Sequence, residues 1–244
     1  MSTSAFTNSI ISDVISNVTS EYTMSQSKIP MIMPPPPSVA QLAVLMLDGS
    51  GSMSDALDST VSTQTKSQAV MKAMTDFIEV LKASKIKESF WLSVYGFSSE
   101  TANMLSAYKR DYVRVNDIET QYIQDPSLIF SDRSHTDIGL ALEKARTVAG
   151  AFRHDQQIGI EENYRRAVVI LLSDGLNNVG ESQKVLDKAS IISNLWPLCT
   201  TAFGKDADSN LLKQIATDET HFLQTSDPKR LRDFFIHSST IQRK

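Results

Sequence analysis

The 244-residue chain lacks several features that mark common protein classes. It has one cysteine, Cys199, which excludes an internal disulfide and, within an apolar run, favours a buried and unreactive thiol. No stretch of eighteen apolar residues occurs, and the N-terminus has no basic leader followed by an apolar core. We therefore expect no membrane span, no signal peptide and a cytoplasmic location.

The chain also lacks an excess of positive charge. Its net charge is -4, which gives no electrostatic reason to expect a nucleic-acid or anionic-membrane partner. With 41% hydrophobic and 21% charged residues, it is long enough for one sizeable core and a small appendage. Composition leaves the oligomeric state open.

The sequence before residue 41 differs from the rest. Residues 1–28 place apolar side chains at helical spacing, which predicts one amphipathic helix that packs on the main domain, on another copy or on a partner. Residues 29–40 contain four consecutive prolines and are predicted to form a stiff linker. The main domain is predicted to span residues 41–244. The apolar residues of the N-terminal pattern are Phe6, Ile10, Ile11, Val14, Ile15 and Val18.

From residue 41 onward, apolar runs alternate with amphipathic patterns. The runs are typical of strands buried on both faces, and the alternation predicts an α/β fold, a doubly wound, mostly parallel sheet flanked by helices. For residues 104–133 we expect an antiparallel edge strand with a loop or short helix. Predicted strands are 42–47, 90–97, 167–172, 197–203 and 221–224; predicted helices are 65–84, 137–151, 182–194, 208–217 and 227–238.

The segment LMLDGSGSMSD, residues 45–55, places oxygen-bearing side chains at the end of the first predicted strand. Asp48, Ser50 and Ser52 alternate along an extended loop, so their side chains point the same way. The intervening glycines allow the backbone to approach closely. One carboxylate and two hydroxyls suit a hard cation such as Mg²⁺, Mn²⁺ or Ca²⁺, whereas zinc prefers nitrogen and sulfur ligands.

Two further loops carry oxygen donors to the same predicted edge of the sheet. Thr136 immediately precedes a predicted helix, and Asp174 follows the strand AVVILLS. Ligands of such sheets bind beyond the carboxyl ends of the strands. An alternative for each loop taken singly is a turn or helix cap, because Asp, Ser and Gly dominate both.

These residues resemble the von Willebrand factor type A domain family with its metal-ion-dependent adhesion site (MIDAS). The resemblance covers about residues 41–240 and implies a Rossmann-like fold. It implies that the serines and often the threonine bind the cation directly, that the aspartates act through water, and that a carboxylate of a partner protein fills an open position. The matching residues are Asp48, Ser50 and Ser52; Thr136, followed by Gly139 and Ala141; and Asp174 within Ser173-Asp174-Gly175.

Some residues near the motif depart from the family pattern. The segment between Ser52 and the first helix is long, which could add a local lobe. His135 stands where a smaller residue is common, and we favour a structural or solvated imidazole over a contact with the partner. For Asp55 and Asp58 we favour a solvated loop over a place beside the metal.

The expected function is a non-enzymatic, metal-dependent protein-interaction module. By analogy alone, we expect a scaffold or regulatory subunit of a bacterial intracellular stress-response or conflict system, or an adaptor of an AAA+ ATPase of the chelatase type. The alternative from another class is a Mg²⁺-dependent phosphohydrolase that uses Asp48, although Ser50 stands where such enzymes carry a second acid. A Gly-x-Ser-x-Gly motif and a phosphate-binding glycine loop are absent.

Overall fold

Seven strands form one sheet in the part of the chain that the computed structural model describes, residues 39–57, 64–174, 177–204, 207 and 209–240. The predicted N-terminal helix, almost all of the predicted linker and Asp58 lie outside the described residues. The boundaries proposed for the N-terminal segment and linker therefore stay predictions. The strands are β1 (Ala40–Asp48), β2 (Phe90–Phe97), β3 (Thr101–Asn103), β4 (Val113–Arg114), β5 (Arg165–Ser173), β6 (Leu198–Phe203) and β7 (Phe222–Thr225).

The sheet has the order β3-β2-β1-β5-β6-β7, and β4 also pairs with β2. β1, β2, β5, β6 and β7 are parallel, whereas β3 and β4 run antiparallel to β2. β1 lies at the centre, and every residue of it is buried. Its side chains alternate between the two faces, as the period of a strand requires. The prediction of a doubly wound, mostly parallel sheet is confirmed.

Helices cover both faces of the sheet. One layer contains α3, α4 and α5, which pack with Leu42, Val44 and Met46 of β1. The other contains α1 and α6, which pack with the alternate β1 residues. There Phe77 of α1 meets Phe235 of α6 edge to face, with ring centroids 5.9 Å apart. The helices are α1 (Lys66–Ala83), α2 (Pro126–Ile129), α3 (Ile138–His154), α4 (Ser182–Leu195), α5 (Ser209–Ile215) and α6 (Pro228–Ser239).

The predicted elements agree with the structure to within a few residues at most boundaries. The helix predicted over 208–217 spans only Ser209–Ile215. Within 104–133 the structure has the two-residue antiparallel strand β4 and the short helix α2, while β3 comes just before this range. β3 and β4 form through pairing with β2, and elements this short carry little local signal.

Cys199 in β6 is fully buried, as predicted. Burial raises the pKa of its thiol to about 12.

Within the described part of the chain, no helix is both long and apolar enough to cross a membrane.

The strand order reverses at β1. The chain passes from β1 to β2 on one side, and the later strands β5, β6 and β7 follow on the other side. The carboxyl ends of β1 and β5 are therefore adjacent at a topological switch point, where ligands of open α/β sheets bind. Asp48 ends β1, and Asp174 follows β5 directly.

Candidate metal centre

Asp48 is fully buried at the end of β1. Its Oδ1 accepts a hydrogen bond from the backbone N–H of Ser50 at 2.8 Å, and its Oδ2 accepts one from the hydroxyl of Ser173 at 2.5 Å. Gly49 follows in a confined space, because a Cβ there would lie 2.6 Å from the Phe130 ring and 2.7 Å from the carbonyl oxygen of Pro126. Only glycine allows this approach, which fixes the start of the loop.

A continuous hydrogen-bonded chain links the loops after β1 and β5. The hydroxyls of Ser50 and Ser52 are 3.1 Å apart, and the Ser52 hydroxyl donates to Oδ1 of Asp174 at 2.7 Å. A short 3-10 turn over Gly51–Ser54 brings Ser52 to this position. The structure thus brings together Asp48, Ser50, Ser52 and Asp174, four of the five predicted site residues.

The fifth predicted residue, Thr136, is buried in the adjoining loop, directly before the N-cap residue of α3. Its backbone N–H donates to Oδ1 of Asn178 at 2.8 Å, in the loop that follows Asp174. In the same segment the carbonyl of Arg133 accepts a hydrogen bond from Gly51 N–H at 2.7 Å. Hydrogen bonds donated by backbone N–H groups therefore tie the Thr136 loop to the loop after β1 and to the loop after β5.

The two carboxylates sit in unequal electrostatic surroundings. Burial raises the pKa of Asp48 from 3.8 to about 6, and the hydrogen bonds from Ser173 and Ser50 offset part of that increase. The negative charge of Asp48 is thus costly in the protein without a bound cation. A cation beside this carboxylate would favour its ionised form.

Lys66 is a site residue that the sequence reasoning did not identify. It is the first residue of α1 and is only 9% exposed. Its Nζ donates to Oδ2 of Asp174 at 2.6 Å, a contact between residues 108 positions apart. A sequence signal existed, since Lys66 stands on the same helical stripe as Ala69, Val70 and Ala73, where the pattern calls for a buried side chain.

Asn177 and Asn178 were missed as well. Asn178 also donates from its Nδ2 to the carbonyl of Ser134 at 2.9 Å, and Oδ1 of Asn177 accepts from Ile138 N–H at 3.0 Å. Both side chains therefore fasten the loop after β5 to the Thr136 loop. Asparagine is frequent in loops of every kind, so its presence in the sequence carried no specific signal.

Of the three side chains that we expected to be structural or solvated, His135 and Asp55 lie in the described part of the chain, and both are accessible. His135 is partly exposed, and its Nδ1 lies 3.0 Å from Oδ2 of Asp132, within the same turn. Asp55 is exposed, and its carbonyl accepts the backbone N–H of Lys66 at 3.0 Å. These contacts are structural and local.

The donor set is rich in hydroxyls. In the described ranges no group of three or more His, Cys, Asp or Glu side chains is placed to hold a metal. The oxygens that hydrogen bonds bring together here belong to the carboxylates of Asp48 and Asp174 and to the hydroxyls of Ser50 and Ser52, which is the chemistry of a site for a hard cation.

The match to a sequence family decides the relationship. The family model of the von Willebrand factor type A domain matches residues 43–236, which is most of the chain. The chain belongs to this family. No curated protein sequence matches it.

Solved structures share the von Willebrand factor type A fold with this chain at low identity. Proximal thread matrix protein 1 from the mussel byssus is 21% identical over 82% of this chain and 48% of its own, with a TM-score of 0.58; another structure of it has a zinc-occupied MIDAS motif. The von Willebrand factor type A protein from Catenulispora acidiphila is 15% identical over 82% and 42% of the two chains, with a TM-score of 0.61. The present chain thus spans about half the length of the mussel protein.

A third structure is nearly matched along its whole length. The vWF domain of the type V pili tip protein Mfa5 from Porphyromonas gingivalis is 14% identical, and the alignment covers 85% of this chain and 98% of that domain, with a TM-score of 0.60. The von Willebrand factor type A fold therefore accounts for the described sheet and helices.

Proposed function

We propose that this von Willebrand factor type A domain binds a divalent cation and, through it, a carboxylate of a protein partner. Asp48, Ser50, Ser52, Thr136 and Asp174 would hold the cation, with Mg²⁺ as the expected ion and Mn²⁺ or Ca²⁺ as the alternatives. The bound ion would supply an electrophilic centre for an anionic oxygen. The observation that carries the proposal is the hydrogen-bonded chain from Asp48 through the two serines to Asp174.

The chemistry of these residues fits a hard cation. Asp48 and Asp174 are both nearly inaccessible, and burying two carboxylates is costly unless cations or hydrogen bonds compensate. Lys66 supplies one positive charge, to Asp174. Asp48 has hydroxyl and amide donors only among its described contacts. The zinc-occupied MIDAS of the mussel protein supports metal binding as a property that this fold allows.

The neutral hydroxyls favour a role in recognition. A cation held by serine and threonine oxygens keeps more of its positive charge than one held by several carboxylates, so it attracts a carboxylate from outside. A scaffold or regulatory subunit inside a bacterial cell is the setting that we propose, with an adaptor of an AAA+ ATPase as the alternative. Both settings rest on analogy within the family.

The surroundings of Asp48 argue against the phosphohydrolase alternative. A nucleophilic carboxylate needs a free oxygen that faces the substrate. Both oxygens of Asp48 accept hydrogen bonds, and the residue has no exposed surface. We therefore propose that the site binds a cation and a carboxylate, and that it does not hydrolyse phosphate esters.

Cation binding is tested by titrating Mn²⁺ into the purified protein and following free Mn²⁺ by electron paramagnetic resonance. We expect one bound ion per chain in wild type and a loss of affinity of at least about 10–100-fold in Asp48→Asn. Asp55→Asn is the matched control, because it removes an exposed aspartate from the same loop. It should bind Mn²⁺ as wild type does.

Equal Mn²⁺ binding by wild type and Asp48→Asn would contradict the proposed site. Recruitment of a partner is tested separately, by comparing proteins retained by wild type and by Asp48→Asn in Mg²⁺ and in chelator. A partner retained only by wild type in Mg²⁺ supports the proposal. Phosphatase turnover that Asp48→Asn abolishes would favour the enzymatic alternative.

A further inference from the structure

Lys66 occupies an unusual position for a lysine. It begins α1, where the helix dipole disfavours a positive charge, and it is only 9% exposed although lysine is almost never buried without a partner. Its partner is Oδ2 of Asp174, at 2.6 Å. The ammonium of Lys66 therefore lies at the carboxylate of Asp174 although both the helix dipole and burial disfavour a positive charge there.

The end of β6 accommodates the lysine side chain. Gly204 follows β6 with a φ of +123°, a conformation that side chains rarely adopt. A Cβ at this position would lie 3.3 Å from Cε and 3.5 Å from Nζ of Lys66. The methylene chain of Lys66 thus passes directly over Gly204. Packing against the end of β6 therefore supports the position of the lysine side chain.

The two carboxylate oxygens of Asp174 accept hydrogen bonds from two different donors. Oδ1 accepts the Ser52 hydroxyl, and Oδ2 accepts Lys66. With Asp48 and Asp174 ionised, the two carboxylates and Lys66 carry a net charge of −1 rather than −2. A divalent cation would therefore give the two carboxylates and Lys66 together a net positive charge. Without Lys66, the same cation would only neutralise the two carboxylates.

We propose that Lys66 is a specificity-determining residue of the site, which weakens the binding of a divalent cation alone and leaves the loaded site attractive to an anionic partner. The inference rests on the proposed function, because it requires that the cation binds beside Asp174. Repulsion between the ammonium and the cation lowers cation affinity, and the remaining positive charge is neutralised when a carboxylate arrives. Lys66 thereby lowers the affinity of the site for the cation alone and adds to the attraction of the occupied site for an anionic group.

The experiment compares Mn²⁺ affinity in wild type, Lys66→Met, Lys66→Arg and Lys72→Met by electron paramagnetic resonance. Lys66→Met retains most of the side-chain volume without the charge, and should bind Mn²⁺ at least about tenfold more tightly than wild type. Lys66→Arg keeps the charge and should stay close to wild type. Lys72→Met is the matched control, since Lys72 lies on the same helix in an exposed pair with Asp76.

The rise in melting temperature on adding Mn²⁺ is the second readout, and it should be larger in Lys66→Met than in Lys72→Met. It also reports on folding, because a variant that melts cooperatively with Mn²⁺ is folded. If wild type binds Mn²⁺ but Lys66→Met binds it no more tightly than Lys72→Met does, the proposed role of Lys66 is overturned. The proposed function is not affected by that result. If neither wild type nor Lys66→Met binds Mn²⁺, the proposed function and this inference are both overturned.

Discussion

Asp48 and Asp174 lie at the carboxyl ends of the neighbouring parallel strands β1 and β5, yet they are stabilised in different ways. Asp174 pairs with the ammonium of Lys66 at 2.6 Å, whereas Asp48 accepts hydrogen bonds from a hydroxyl and a backbone amide. Burial raises the pKa of Asp48 to about 6. Similar positions in the topology thus give one carboxylate that is paired with a lysine ammonium and one that is held by neutral donors.

Strand order therefore determines where a charged residue lies, while residues distant in sequence determine which charges and hydrogen-bond donors surround it. Both aspartates are placed by the switch point of the sheet. Only Asp174 is within reach of the first turn of α1 through Lys66. The same substitution at the two aspartates should therefore change stability in opposite directions when no divalent cation is bound.

The largest effect is expected for Asp174→Asn in chelator. It removes the anionic partner of a buried lysine, so the free energy of unfolding should fall by about 3–5 kcal/mol. Urea denaturation followed by circular dichroism measures the change. Asp233→Asn removes an exposed aspartate that pairs with Arg232 and should change stability little. A loss no larger than that of Asp233→Asn would show that the buried pair is not stabilising.

A gain in stability is expected for Asp48→Asn in chelator near neutral pH. Raising a pKa from 3.8 to about 6 corresponds to about 3 kcal/mol of unfavourable free energy for the ionised form, which the amide removes. The amide can still accept from Ser50 N–H and bond to Ser173. The same denaturation experiment measures the gain, and a loss comparable with that of Asp174→Asn would contradict the contrast between the two carboxylates.

A smaller effect is the pH dependence of wild type in chelator. Because the pKa of Asp48 is higher in the folded protein, the folded state binds more protons than the unfolded state between about pH 4 and pH 6. This contribution makes the free energy of unfolding fall as pH rises, by at most about 1.4 kcal/mol per pH unit. Subtracting the profile of Asp48→Asn isolates it, since the other carboxylates are common to both proteins. A flat difference profile would contradict the raised pKa.

The sequence was sufficient to predict the main sheet because its strands carry their own signal. A continuous apolar run such as residues 42–47 is typical of a strand covered on both faces. Once the strands are parallel, their carboxyl ends share one edge, so Asp48 and Asp174 were predicted to be neighbours. The hydrogen-bonded chain between them agrees with that expectation. Their role in binding a cation stays a prediction.

The side-chain contacts of Lys66 and Asn178 with distant residues were not predictable. The helical stripe of α1 signals that Lys66 is buried, but its pairing with Asp174 depends on how α1 is placed against the sheet. The fastening of the Thr136 loop by Asn178 depends equally on tertiary structure. β3 and β4 are two or three residues long and form only because β2 offers an unpaired edge.

The buried thiol of β6 has a practical consequence for studying this domain. With its pKa raised to about 12 and its side chain inaccessible, Cys199 forms almost no thiolate near neutral pH and is shielded from reagents. A cysteine introduced at the exposed Ser54, beside the candidate metal centre, would then be the reactive thiol of the sequence. A fluorescent or spin label could be attached there without first removing the native cysteine.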